Sequence, residues 1–224
     1  NNFLYLIDKK KLKIKPKFKN YKFFKKNLLN LEADFLKKIG QLDLIIHCAS
    51  IIGINKVDNP FKIHDQIVGV TKKLLNFYQK KKILFVYFSS SEIYGNQIKY
   101  SENEGQRIYN FHKNQKYKDI RWVYGESKFF IETCLNFLNQ KKKKFNYLII
   151  RPFNFFGPFQ DKNFVIPKMI DDLKTKNKIT VYGNKKSIRT FTYIEDAIDI
   201  IIKLINKKNA YNDVYNVGSN STIK

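Results

Sequence analysis

A tyrosine and a lysine four residues apart are the first candidates for chemistry in this sequence. Tyr124 and Lys128 lie in the stretch RWVYGESK, residues 121–128, within a helical pattern. On a helix this spacing puts both side chains on one face, with a rise of about 6 Å between them. A tyrosine phenol ordinarily has a pKa of about 10, and a nearby ammonium is one way to lower that value. The pair is compatible with a general base, although the same spacing also arises by chance in many helices.

A serine-rich segment upstream brings hydrogen-bonding groups to the end of a predicted strand. The stretch YFSSSEIYG, residues 87–95, follows the apolar run Ile83 to Val86 and turns polar at once. Hydroxyl groups there can hydrogen-bond a ligand. Glu92 in this segment is compatible with a solvated turn residue.

Strands and helices alternate along the chain. The predicted strands are 3–7, 21–24, 42–48, 83–88, 147–150, 179–182 and 214–216, and the predicted helices are 31–39, 60–78, 123–138, 165–173 and 195–205. Asn59 is the expected N-cap of the second helix, with Pro60 in its first turn. Continuous apolar strands separated by helices predict a parallel sheet covered on both faces, a doubly wound α/β fold.

Ligands in such a sheet bind beyond the carboxyl ends of the strands. Four strand ends carry small or polar residues: Asp8, the run His47 to Ser50, the run Ser89 to Glu92, and the run Arg151 to Asn154. An acidic residue at a strand end can hold both ribose hydroxyls of NAD. Asp8 by itself is equally compatible with a simple turn.

Composition narrows the function classes. The formal charge is +24, but the lysines are dispersed along the chain, which favours a solvated surface over a nucleic-acid groove. A positive field that attracts a small anionic substrate is a further interpretation. Cys48 and Cys134 stand among apolar neighbours, so we expect two buried thiols, with no disulfide and no metal site. No run of 18 uncharged apolar residues occurs, and we expect a cytoplasmic protein without a membrane partner.

Several motifs follow one another along nearly the whole chain: FLYLID, LDLIIHCAS, SSSEIYG, YGESK, RPFNFFGP, and SIRTFTYIEDA followed by YNVGS. In this order they resemble the extended short-chain dehydrogenase/reductase family, the NAD-dependent nucleotide-sugar epimerases, dehydratases and decarboxylases. RWVYGESK and RPFNFFGPFQD look most like the decarboxylases that act on UDP-glucuronic acid.

The resemblance implies catalytic roles for four residues. Ser90 would hydrogen-bond the sugar hydroxyl, and Tyr124 would be the general base. Lys128 would hold the nicotinamide ribose and lower the pKa of the tyrosine. Glu92 would act as base or acid in an elimination or decarboxylation, which separates those enzymes from simple 4-epimerases. The expected activity is modification of a UDP- or dTDP-linked sugar through a transient 4-keto intermediate.

The resemblance also implies binding residues. Those expected to contact NAD are Asp8, Asn27, Leu28, Cys48, Ala49, Ser50, Ser89, Tyr124, Lys128, Arg151 and Phe153. Those expected to contact the substrate are Ser91, Asn154 and Arg189, the last near its diphosphate.

One family feature is missing from the sequence. The nine glycines are never closer together than ten residues, so no GxxGxxG phosphate-binding loop is present. We therefore expect a Rossmann-like domain over 1–155 that lacks its first strand and glycine-rich loop. A partial substrate lobe over 156–224 would be interleaved with late sheet elements. The chain would be incomplete at both ends and would bind NAD weakly on its own.

Two further expectations concern partners. Relatives usually dimerise by packing two long helices across a twofold axis, which here would be 60–78 and 123–138. The alternative to an enzyme is a non-catalytic Rossmann-fold module for binding or interaction, which the missing glycine loop favours and the joint presence of Ser90, Tyr124 and Lys128 opposes.

Overall fold

In the computed structural model, a four-stranded parallel sheet lies at the centre of the fold. The structure describes residues 3–12, 16–51, 57, 59–95, 120–141, 145–179 and 189–223. The strands are β1 (Leu4–Asp8), β2 (Tyr21–Lys25), β3 (Leu44–His47), β4 (Ile83–Phe88), β5 (Phe145–Pro152), β6 (Phe155–Phe156), β7 (Arg189–Thr190), β8 (Thr192–Tyr193), β9 (Asp213–Val217) and β10 (Thr222–Ile223). The main helices are α1 (Ala33–Ile39), α2 (Pro60–His64), α3 (Val70–Tyr78), α4 (Arg121–Lys141), α5 (Val165–Lys176) and α6 (Ile194–Asn206).

The central sheet has the strand order β3-β4-β5-β9, and all its pairs are parallel. Strand β4 has the sequence ILFVYF, and its first five residues are buried. Because successive side chains point to opposite faces of the sheet, both faces of β4 are covered. Phe85 packs on one face with Leu74 and Leu135 from the helices α3 and α4. Val86 packs on the other face with Ile201 from α6. Helices thus cover both faces, and the doubly wound α/β prediction is confirmed.

The helix predicted over 60–78 forms over those residues, with one irregularity. Asn59 caps it by accepting a hydrogen bond from the Phe61 amide at 2.9 Å, and Pro60 occupies the first turn, as predicted. Between α2 and α3 the segment Asp65–Gly69 is a π-helical turn. The sequence pattern did not show this turn, because the apolar stripe continues through it.

Strand β3 departs from the sequence prediction of a buried strand. It lies at an edge of the central sheet, and Ile46 is 49% exposed. The expectation of two buried thiols is also wrong. Cys48 is exposed because it follows the last residue of this edge strand, and Cys134 is only half-buried on α4. Both cysteines are free thiols.

The shorter strands form two-stranded sheets outside the central sheet. Strands β1 and β2 form a separate parallel pair, β6 pairs with β8 in parallel, and β7 pairs with β10 in antiparallel fashion. The late strand β9 joins β5 in the central sheet. Most of the strand predicted over 179–182 lies outside the described residues. Within the described part of the chain, no helix is both long enough and apolar enough to cross a membrane.

Candidate active site

A tight turn after strand β4 presents the serine-rich segment. Ser90 is the N-cap of the short 3₁₀ helix Ser91–Tyr94, and its hydroxyl accepts a hydrogen bond from the Glu92 amide at 3.1 Å. Gly95 ends the turn at φ +58°, in the left-handed region that glycine adopts without strain. Its amide donates to the Glu92 carbonyl at 3.1 Å. We call residues 90–95 the serine turn.

Helix α4 approaches the serine turn very closely at Gly125. A β-carbon at this position would lie 2.9 Å from the Glu92 carbonyl oxygen, closer than real β-carbons come. A glycine is therefore needed for this contact. The approach brings Tyr124, which precedes Gly125, next to the turn that carries Ser90.

The Tyr124 phenol faces two serine hydroxyls. Burial raises the pKa of Tyr124 above its usual value, while the neighbouring hydroxyls of Ser50 and Ser90 lower it by a smaller amount. The net pKa is raised, so the sequence-based expectation that it is lowered is wrong for this structure. The structure nevertheless brings Tyr124 next to Ser90, the two residues that the resemblance names as base and hydroxyl, and Ser50 lies beside them.

Lys128 is buried beside the same site. Its ammonium donates to the Phe88 carbonyl at 2.6 Å and lies 5.8 Å from the centroid of the Tyr124 ring and 4.9 Å from that of Tyr87. Burial lowers the pKa of Lys128 from 10.5 to about 7, although Cys48 and Glu132 act to raise it. The lysine therefore changes its charge near neutral pH.

Glu92 lies in a bidentate ion pair. The Arg121 guanidinium, at the start of α4, donates through Nη2 to Oε1 at 2.7 Å and through Nε to Oε2 at 3.1 Å. The Glu92 side chain is 30% exposed and that of Arg121 is 45% exposed, so the pair lies at the rim of the site. The Glu92 carboxylate is therefore held by an ion pair and is not a freely solvated turn residue. Ser91, the next candidate in the turn, is half-buried.

The candidate cofactor residues on the early strands lie at carboxyl ends, as expected. Asp8 is exposed at the end of β1 and accepts a hydrogen bond from the Lys10 amide at 2.7 Å. Asn27 caps the 3₁₀ turn Leu28–Asn30 by accepting from the Leu29 amide at 3.1 Å, and Leu28 packs against the core. These side chains thus also have local structural roles.

The candidates on the next two strand ends differ in exposure. Cys48 and Ala49 are exposed after β3, and Ser50 is half-buried. Ser89 is buried after β4, and its hydroxyl makes no hydrogen bond within the part of the chain that the structure describes. A buried hydroxyl without a partner is rare and suggests a ligand or a water there.

Arg151, near the end of β5, differs from these candidates because its side chain is enclosed in the core. Its side chain is fully buried and forms an ion pair with Glu132 on α4, so the side chain is not available to a cofactor. The expectation that Arg151 contacts NAD can therefore hold only for its backbone. Phe153 packs against Gly218, where an added β-carbon would lie 2.8 Å from the Phe153 β-carbon.

The two remaining candidate substrate residues come close to each other in the late part of the chain. Asn154 has a positive φ of 43°, and its side-chain amide donates to the Thr190 carbonyl at 2.8 Å. Arg189 is the residue before Thr190 and is exposed. The structure thus places Asn154 and Arg189 at the junction of β6, β7 and β8.

Three residues of the site were missed from the sequence. Arg121 pairs with Glu92, and Glu132 and Tyr94 hold Arg151. Glu132 follows Lys128 by four residues, so its position on the same helix face was a signal that could have been used. The contacts themselves, Arg121 with Glu92 and Arg151 with Glu132, span 29 and 19 residues, and the sequence gave no signal for them.

The chain belongs to the NAD dependent epimerase/dehydratase family, whose model matches residues 6–218. Among curated proteins, it is 31% identical over 216 residues to the dTDP-D-glucose 4,6-dehydratase of Dictyostelium discoideum, which covers 91% of this chain and 48% of that protein. It is 28% identical over 186 residues to the UDP-N-acetyl-alpha-D-glucosaminuronate decarboxylase of Bacillus cytotoxicus, with 81% and 55% coverage. The chain therefore spans about half the length of these two relatives.

Solved structures share the fold. The PbgP3 protein of Burkholderia pseudomallei matches 99% of this chain and 69% of its own with a TM-score of 0.83 and 19% identity. The UDP-glucuronic acid 4-epimerase of Bacillus cereus, solved with UDP-glucuronic acid and NAD, matches 92% of this chain and 63% of its own with a TM-score of 0.75 and 21% identity. These matches support the Rossmann-like architecture.

Proposed function

We propose that this protein oxidises a nucleotide-linked sugar with NAD, forming a transient 4-keto intermediate that then reacts further. The observation that carries the proposal is the meeting of Tyr124 and Lys128 on one helix face with Ser90 on the serine turn. This is the set of groups that a sugar hydroxyl needs in order to lose its proton. The substrates named for the relatives, UDP- and dTDP-linked sugars, support this substrate class.

The strand ends of this chain fit NAD. Asp8 offers an exposed carboxylate for the ribose hydroxyls. Cys48 and Ala49 are exposed at the end of β3, and Ser89 has a buried hydroxyl available for a hydrogen bond. When bound, NAD takes the hydride from the sugar carbon. Asn27, Leu28 and the backbone of Arg151 and Phe153 complete the proposed set of cofactor contacts.

Side chains of this protein carry out the proton transfer from the sugar hydroxyl. Ser90 hydrogen-bonds the sugar hydroxyl, and Tyr124 removes its proton. Because burial raises the pKa of Tyr124, the phenol needs a cation beside it before it can act as a base near neutral pH. The ammonium of Lys128 is positioned to do this if it is drawn from the Phe88 carbonyl toward the bound ligands.

Glu92 determines the reaction of the keto sugar after oxidation. A carboxylate beside the keto sugar can take a proton from the neighbouring carbon or return one, and this proton transfer leads to dehydration. If the substrate is a uronic acid, the keto sugar would instead lose carbon dioxide. A simple epimerase needs neither step. Ser91, Asn154 and Arg189 are the proposed substrate contacts, with Arg189 near the diphosphate.

The test of this proposal is product analysis. The protein is incubated with NAD and UDP-glucuronate, UDP-galactose or dTDP-glucose in turn, and the products are identified by mass spectrometry. Glu92→Gln should still form the keto sugar but fail in the later step. Glu126→Gln, which changes an exposed glutamate next to Gly125 on α4, should behave as wild type. Unchanged final product from Glu92→Gln would exclude the assigned role of Glu92.

The proposal includes a homodimer through helices 60–78 and 123–138. Three aromatic side chains on these helices are exposed in the single chain: Phe61 at 76%, Phe130 at 53% and Phe137 at 58%. Exposed aromatic groups of this kind are typical of interfaces. Sedimentation should give a dimer for the wild type and a monomer for Phe130→Glu; a monomeric wild type would contradict this part.

We also infer a cytoplasmic location and no nucleic-acid or membrane partner. Two free thiols, one of them exposed, are compatible with a reducing compartment. The alternative function is a non-catalytic binding module. The two functions differ in one observation, because only the enzyme forms NADH when a nucleotide sugar is added.

A further inference from the structure

A buried polar network joins four elements next to the active site. Arg151 on β5 donates from Nε to Glu132 Oε1 on α4 at 2.9 Å, and its Nη2 donates to the other oxygen of the same carboxylate. Its Nη1 donates to the Tyr94 hydroxyl in the serine turn at 3.0 Å. That hydroxyl in turn donates to Asn216 Oδ1 on β9 at 2.7 Å. The network therefore connects the serine turn to α4 through the central sheet.

Burying this network carries a large desolvation cost. Arg151 is completely buried and Glu132 is 2% exposed, so both charges have lost their water. Apolar residues of similar volume often replace such a pair without loss of stability. The pair differs from an apolar replacement in its geometry, because the guanidinium fixes three directional hydrogen bonds at once.

The two ends of the network carry the two halves of the active site. Tyr94 is the last residue of the 3₁₀ helix that Ser90 caps and that contains Glu92. Glu132 lies four residues after Lys128 and eight after Tyr124, so all three project from one face of α4. A change in the network would therefore alter the distance between the serine hydroxyl and the tyrosine base.

We propose that Glu132, Arg151 and Tyr94 are positioning residues, which hold the serine turn in register with Tyr124 and Lys128 during the reaction. The inference rests on the proposed function, and it assigns the Arg151 side chain to geometry instead of cofactor contact. A misplacement of about 1 Å between reacting groups can cost about a hundredfold in rate.

Glu132 has a second effect, on the charge of Lys128. Its carboxylate acts to raise the pKa of the lysine, against the burial that lowers it. The other titratable groups that face Lys128 or interact with its charge are His47, Cys48, Tyr87 and Tyr124. Loss of the Glu132 charge should therefore move the protonation of Lys128 to lower pH.

The first test uses Tyr94→Phe, which keeps the ring and removes only the hydroxyl. We expect hydrogen exchange of the amides in residues 90–95 to accelerate about tenfold and kcat to fall about tenfold, with KM for NAD unchanged within about twofold. The control is Tyr211→Phe, which loses a single hydrogen bond to the Ile205 carbonyl (2.7 Å) outside this network. If Tyr94→Phe matches this control in exchange and in kcat, the proposal is wrong.

The second test replaces the ion pair by Glu132→Leu with Arg151→Met, which leaves no unpaired buried charge. We expect a folded protein with reduced kcat and an alkaline limb of the pH–rate profile moved to lower pH. An NMR titration of the Lys128 ε-carbon should show the same direction of change without any turnover. Wild-type kcat together with an unmoved lysine titration would mean that the pair only fills space.

The two proposals fail in different ways. If the wild type forms no keto sugar from any nucleotide sugar, the proposed function is wrong, while hydrogen exchange and the lysine titration still report on positioning. If the wild type is active and both variants keep its kcat and exchange, only the positioning role is wrong.

Discussion

Replacing Lys128 by methionine should make the folded protein more stable near neutral pH. Burial lowers the pKa of Lys128 from 10.5 to about 7. This difference corresponds to about 5 kcal/mol, because each pKa unit is worth about 1.4 kcal/mol. Between pH 7 and 10.5 the unfolded chain binds the proton and the folded chain releases it, so stability rises with pH across this window. Below pH 7 the full cost of the buried charge is present.

Methionine avoids this cost but also loses one hydrogen bond. The Lys128 ammonium donates to the Phe88 carbonyl, and its loss costs about 1–2 kcal/mol. We therefore expect Lys128→Met to raise the free energy of unfolding by about 2–4 kcal/mol at pH 7. At pH 10.5 the sign should reverse, because the folded lysine is then neutral and the unfolded lysine half neutral, so the remaining cost of the charge is smaller than that of the lost hydrogen bond.

Urea unfolding of both proteins at a series of pH values from 6 to 10.5 measures this difference. Lys72→Met, on the exposed side of α3, serves as the control and should differ from wild type by less than about 0.5 kcal/mol at every pH. A Lys128→Met variant that is less stable than wild type by the same amount at every pH would refute the reasoning, because burial would then not oppose the charge.

The remaining predictions concern packing and capping. Gly125→Ala should lower the free energy of unfolding by about 1–3 kcal/mol and reduce kcat, because its β-carbon would meet the Glu92 carbonyl at 2.9 Å. Gly69→Ala, where the nearest atom lies at 3.7 Å, should instead be neutral or stabilising by up to about 1 kcal/mol, and equal destabilisation of the two alanine variants in urea would contradict this. Asn59→Ala should cost about 1 kcal/mol, since the Phe61 amide loses its cap; thermal unfolding checks this, and an unchanged Tm would show that the cap contributes nothing.

The sequence predicted the fold well wherever burial alone determines an element. Strand β4 was predicted with its correct bounds, because an unbroken apolar run between polar residues fits only a strand covered on both faces. The edge position of β3 was not predicted. Its residues Leu44 to Ile46 are as apolar as those of β4, and only the order of the strands shows that one side of β3 has no partner in the central sheet.

The candidate site was predicted where a single helix or turn sets the spacing. Tyr124 and Lys128 share a face of α4 because they are four residues apart, and Ser90 caps its turn through a local hydrogen bond. The buried environment of Arg151 could not be predicted in this way. Its partner Glu132 is 19 residues away, and the two meet only because α4 packs across β5. The raised pKa of Tyr124 has the same origin, since burial depends on tertiary packing.

The most direct test of the proposed oxidation is the absorbance of NADH in a single turnover. The protein encoded by the whole reading frame that contains this chain is saturated with NAD, as checked by calorimetry, and mixed with each candidate nucleotide sugar. We expect a transient rise at 340 nm with at least one of them, and no rise after Tyr124→Phe. Absence of the rise with every sugar, or an undiminished rise in Tyr124→Phe, would contradict the account.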